Sequence, residues 1–271
     1  MRDSSRLLAQ VRHSLERLEP RRTTAAASLF ASGHEGIDRA LGGGFARGRL
    51  HEVFAGEEYA GSGAGLTALL ALRAMKSDGA REMRPFLWLR TETVQKRAGG
   101  LHATGLGELG LDPAMLLLGL VPDEGALLHA AAEATRCAGL GALLVECWGP
   151  MRGLDLTASR RLMLAAEGSG VTLFLLRIGG EPVPSAADTR WQVTAAPSIA
   201  LEANAPGAPM FEIQLLRRRA GPPAGPWRVE WDRDGSCFRK ADGRDHAGSP
   251  LSRPVLPLVA DGAPEPLRRA G

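Results

Sequence analysis

The stretch RLHEVFAGEEYAGSGAGLTALLALRAM, residues 49–75, decides how the chain reads. A β-strand pattern runs into a glycine-rich turn and then into an apolar helix, the layout of a phosphate-binding P-loop. The only P-loop register is Gly56-x4-Gly61. In a working loop, successive backbone amides and the helix N-terminus hold the phosphates. A lysine then adds charge at the β/γ oxygens, and a Ser or Thr hydroxyl coordinates magnesium. Here Ser62 and Gly63 stand at those two positions. The glycines Gly56, Gly61, Gly63 and Gly65 would permit a surviving backbone cradle, but the charge clamp is missing. Glu57 and Glu58 add repulsion toward a triphosphate, and Lys76 lies several helical turns further along. Losing a clamp worth several kcal/mol should leave only a trace of hydrolysis, since ~1.4 kcal/mol is a factor of ten in rate.

Outward from this stretch the pattern alternates. Residues 49–55, 85–90, 114–120, 141–147 and 171–177 are short, apolar and β-compatible, and the segments 65–79, 124–139 and 157–170 between them read as helices. Strands apolar throughout and separated by helices imply a parallel sheet covered on both faces. Segments 190–203, 210–219 and 226–232 alternate instead, and a Gly/Pro turn at 220–226 joins the last two as a hairpin. The expected fold is therefore α/β, a mostly parallel twisted sheet flanked by helices, with antiparallel strands on one edge. The expected organisation is an N-terminal helix and linker at 1–24, a core domain at 25–241 and a Pro/Arg-rich flexible tail at 242–271.

Composition narrows the class. With 44% apolar and 23% charged residues, 271 residues can bury a sizeable core. A net charge of +3 does not announce nucleic-acid binding. The basic residues are almost all arginine; the lysines are Lys76, Lys96 and Lys240. Cys137, Cys147 and Cys237 are sparse and lack metal-ligand spacing, which favours reduced thiols in the cytoplasm over a disulfide framework. The apolar run 114–121 is far too short for a membrane span, and the N-terminus has no apolar signal core.

Residues 3–19 read as an amphipathic helix whose stripe is Leu8, Val11, Leu15 and Leu18, ended by Pro20. It docks either on its own domain or on a neighbouring subunit or partner, and the flexible-looking linker RRTTAAAS after it is what raises the second alternative. Glu146, ending the GALLVE strand, stands where a Walker B acid would be, and Glu92 where some ATPases keep the base that orients water. Both can also be plain strand-end carboxylates. Arg217, Arg218 and Arg219 lead into a turn, as solvated charges or as DNA contacts. Trp191, and Trp227, Val229 and Trp231 in alternation, read as core, and Cys147 as a small buried residue.

The segment GIDRALGGGFARGRLHEVFAGEE resembles the approach to the P-loop in the RecA family, and the likeness runs over roughly residues 30–235. The Lys-less loop, LDLTASRRLMLAAEGSGVTLFLLR and the tryptophan-bearing stretches near 191 and 227–232 are similar to the ImuA proteins, RecA-like accessory factors of error-prone translesion synthesis. Matched residue by residue, the RecA loop lysine falls on Ser62, the hydroxyl residue on Gly63, the Walker B acid on Glu146 and the nucleotide-sensing glutamine on Arg177. The segments that carry DNA in RecA fall near 148–156 and 179–187 and are short here. The resemblance implies a non-hydrolysing protein that works through contacts with an ImuB-like Y-family polymerase homologue, through it with an error-prone C-family polymerase, and with RecA as a further candidate. It implies no required cofactor, is compatible with weak ATP binding, allows a homo-oligomer and leaves direct DNA contact open. The competing readings are a DNA-stimulated ATPase whose missing charge comes from an arginine in trans, and a DNA-binding module.

Overall fold

A computed structural model describes residues 28–76, 83–201, 205, 207–219 and 221–241. The expected N-terminal helix, with Leu8, Val11, Leu15 and Leu18, and the expected tail at 242–271 lie outside the described residues.

Among the described residues nine strands form one sheet, in the order β11-β10-β9-β8-β3-β7-β6-β4-β5. The parallel part contains β3 (Leu50–Ala55), β4 (Phe86–Thr91), β5 (Leu116–Val121), β6 (Ala142–Trp148), β7 (Thr172–Ile178) and β8 (Thr189–Ala195). Strands β9 (Met210–Arg218), β10 (Ala224–Asp232) and β11 (Cys237–Lys240) extend it in antiparallel fashion. The alternating sequence of β8 suggested an antiparallel strand; instead it pairs parallel to β3 and antiparallel to β9. One of its faces is buried and the other, at Gln192 and Thr194, only half-buried, which is what alternation encodes. A register shift between Arg190 and Trp191 lets it serve both neighbours.

The helices bury one core on each face of the sheet. On one face α2 (Ala60–Met75) packs with Trp88, Phe174, Leu176, Trp191, Ile213 and Trp231. On the other, α5 (Glu124–Thr135) and α6 (Leu156–Ser169) pack on Leu87, Leu143, Val145, Leu173 and Leu175. Trp191, Val229 and Trp231 are buried as expected, and Trp227 packs against the same core. The termini of the helices match their sequences: Asp123 and Asp155 accept the N–H of Ala126 and Ala158 at the starts of α5 and α6.

Ahead of the sheet lie β1 (Leu29–Phe30), α1 (Glu35–Leu41) and β2 (Phe45–Ala46), with β1 and β2 paired antiparallel. The glycine triplet 42–44 serves this unit. Gly42 ends α1 in the left-handed region, at φ 77°. Gly44, at φ 139°, passes so close to Phe30 that a Cβ would lie 2.3 Å from its carbonyl oxygen. Arg73 of α2 locks the unit down, donating to the Ala31 carbonyl and, at 3.0 Å, to that of Ser236. Two short helices, α3 (Glu92–Ala98) and α4 (Ala103–Glu108), follow β4. Among the described residues no helix is long and apolar enough to cross a membrane.

Candidate functional site

The C-terminal ends of β3, β4, β6 and β7 meet at one edge of the parallel sheet, where open α/β folds bind ligands. Residues 56–63 begin there, and their geometry corrects the expectation of a surviving cradle. Glu57–Tyr59 form a 3₁₀ turn that runs straight into α2 at Ala60. The amides of Tyr59 and Ala60 donate back to the carbonyls of Gly56 and Glu57. Gly61, Ser62 and Gly63 lie inside the helix. Gly56 sits at φ −62° and none of these glycines has a positive φ. Gly63 serves packing, since a Cβ there would lie 2.9 Å from the Cβ of Ala55 and 3.1 and 3.2 Å from Leu176 and Ile178, whereas a Cβ on Gly61 would meet nothing within 4 Å.

Acidic side chains crowd the loop register itself. The Glu58 carboxylate folds onto Gly56, so that a Cβ there would meet it at 2.5 Å. A carboxylate beside the first turn of a helix is favoured by the helix dipole. Glu57 lies along Gly179 and pairs with Arg97 of α3, and Arg97 in turn lies over the Trp148 ring, 4.8 Å from its centroid. This chain of side chains spans the edge from β3 to β6 and β7.

Glu146, the candidate metal-linked acid, is neither solvated nor available. It is 3% exposed. Trp88 Nε1 donates to its Oε2 at 3.0 Å, Trp148 Nε1 to its Oε1 at 2.9 Å, and Arg90 Nη2 to its Oε1 at 3.2 Å. Arg90 is itself buried and reaches Gln95 Oε1 and the Gly99 carbonyl. Glu92 is the first residue of α3, exposed, with Thr91 capping the helix beside it. A magnesium triphosphate needs open amide donors, a positive clamp and a carboxylate free to approach the metal. Residues 56–63 and Glu146 do not fit it.

A second buried cluster lies on the other face of the sheet. Glu52, fully buried, accepts from Ser185 Oγ at 2.7 Å and pairs with Arg190 Nε at 2.8 Å. Arg177 Nη1 stands 3.9 Å from its other oxygen. Arg177 is thus a buried charge beside a carboxylate of the neighbouring strand, also lying over the Phe54 ring at 5.8 Å. Cys147, opposite Arg177 across β6 and β7, is buried, and burial pushes its thiol up to about 12. None of Glu52, Arg90 or Arg190 was singled out by pattern. The available signal was a single charge in each of the strands β3, β4 and β8, the first two otherwise mostly apolar.

The arginine triplet is divided by strand geometry. Arg218 is half-buried and donates to the Ala40 carbonyl at the end of α1. Arg217 and Arg219 are exposed and face α6. Alternation across the strand, not a clustered basic tip, governs these three residues.

No family model and no curated protein matches the chain. Among solved structures, the crystal structure of the RadB recombinase matches with a TM-score of 0.52 at 15% identity, covering 79% of this chain and all of that one. At that identity the likeness establishes the fold alone, a RecA-like α/β architecture.

Proposed function

We propose that the chain is a non-hydrolysing RecA-like accessory protein of SOS-induced, error-prone translesion DNA synthesis, acting in the cytoplasm through protein contacts. The observation that carries the first half of this reading is the conversion of the phosphate loop into a 3₁₀ turn and helix start, with Glu58 folded onto Gly56. The saturated hydrogen bonding of Glu146 supports it from the opposite side of the same edge. The ImuA resemblance supports the second half, and names the partners: a Y-family polymerase homologue, a C-family polymerase reached through it, and RecA as a further candidate.

The test is direct binding between the purified chain and a purified Y-family-like polymerase subunit from the same host. A saturable complex, equally tight with and without Mg-ATP, is the expected result. Deleting residues 1–24 abolishes it if that segment is the contact. A complex that forms only with Mg-ATP, or none at all, overturns the reading.

A further inference from the structure

We infer that the groove between α6 and β8–β9 docks an acidic, leucine-bearing segment of a partner protein. This deepens the interaction-protein reading by assigning one contact surface. The groove has a volume of about 390 Å³ and lies on the sheet face opposite α2. Along its α6 wall, Leu156, Arg160 and Leu164 fall at successive four-residue steps and so form one stripe. Leu156 is 52% and Leu164 57% exposed. A single exposed leucine is ordinary, but two bordering a concavity make an anchor site.

The opposite wall supplies Arg217 and Arg219. Against three guanidinium groups the lining holds one carboxylate, Glu167, already paired with Arg49 and 3.9 Å from Arg219 Nη1. Among the described residues Arg160 and Arg217 have no ion-pair partner. The complement of this surface is apolar side chains interspersed with Asp or Glu. A nucleic acid is the poorer match, because no aromatic ring lines the groove to stack a base, and the whole chain carries only +3.

The test pans a random-peptide display library against the full chain, then titrates the enriched peptides against wild type, Arg160→Glu/Arg217→Glu and Leu156→Ala/Leu164→Ala. All four side-chain changes are at exposed positions, and circular dichroism confirms that each variant is folded. The expected peptides combine Asp or Glu with Leu or Met, and each variant weakens them by about tenfold or more. No enrichment, peptides without acids, or affinities indifferent to both variants overturn the inference. So does oligo(dT) binding lost in the arginine variant, which makes the surface a nucleic-acid site. Self-association lost in the leucine variant overturns it too, since the occupant is then a second copy. A parallel Mg-ATP titration separates the two claims: nucleotide hydrolysis defeats the non-hydrolysing reading and leaves the groove standing, whereas a failed groove leaves that reading intact.

Discussion

Replacing Glu146 distinguishes a structural acid from a metal-holding one. In Glu146→Ala, the indole N–H groups of Trp88 and Trp148 lose their acceptor, and Arg90, 2% exposed, keeps only uncharged partners at Gln95 and Gly99. Breaking a buried ion pair by removing one partner costs about 3–5 kcal/mol. For a chain of this size each kcal/mol moves Tm by roughly 2–4 °C, so the melting temperature should fall by about 6–20 °C. Two orphaned indole donors push toward the upper end. Removing the charge from both sides, Arg90→Met with Glu146→Leu, eliminates the unpaired cation and should recover more than half of the loss. The assay is thermal and urea unfolding followed by circular dichroism, with ATP turnover measured on the same samples. A fall in Tm below about 2 °C, or a double variant no more stable than the single one, refutes the structural role.

Three other outcomes follow from the same geometry. Rebuilding the loop with Ser62→Lys and Gly63→Thr should confer no ATPase and should cost about 1–3 kcal/mol, because residue 63 is packed on Ala55, Leu176 and Ile178; a variant that hydrolyses ATP at wild-type stability contradicts this. His51 is buried and neutral, with Nε2 donating to the Ala46 carbonyl and Nδ1 accepting from Thr189, and burial lowers its pKa below the ordinary 6.5. The unfolded state therefore binds the extra proton first, so the stability His51 contributes is complete above pH 6.5 and is lost as pH falls toward its depressed folded value. Urea midpoints should fall through that window, and an NMR titration of the His51 ring at or above 6.5 would contradict the assignment. Cys147, buried and with its thiol near 12, should stay unalkylated by iodoacetamide at pH 8 in the folded chain and react once unfolded, as read by peptide mass mapping; ready alkylation of the native protein is the opposing result.

The parallel strands β3 to β7 were legible because each is a short, mostly apolar run, and the β9–β10 hairpin because its strands alternate around a Gly/Pro turn. β8 misled for a physical reason, since its half-buried polar face gives it the pattern of an antiparallel strand while it pairs parallel to β3. The short pieces α1, α3, α4 and β11 carry too few residues for periodicity to register, and capping by His34, Thr91 and His102 holds the three helices. At the site, the absence of lysine and hydroxyl at 62 and 63 was plain from sequence. The helical path of residues 60–63 was not, because the same glycines that allow a cradle also allow a helix to press against β3 and β7. Glu146 read as an even choice between metal acid and solvated acid; of its partners, Trp148 lies two residues along the same strand, while Trp88 and Arg90 reach it only through the β4–β6 pairing.

The most direct test of the account is calorimetric titration of the full chain with Mg-ATP, with and without single-stranded DNA, alongside a sensitive phosphate-release assay. The account predicts no saturable binding up to about 1 mM, which means less than ~4 kcal/mol of interaction, and no release above background. Saturable binding in the micromolar range, or DNA-stimulated release, would contradict it, because the turn at Glu57–Tyr59 would then have to reopen into a phosphate cradle with its charge supplied from elsewhere.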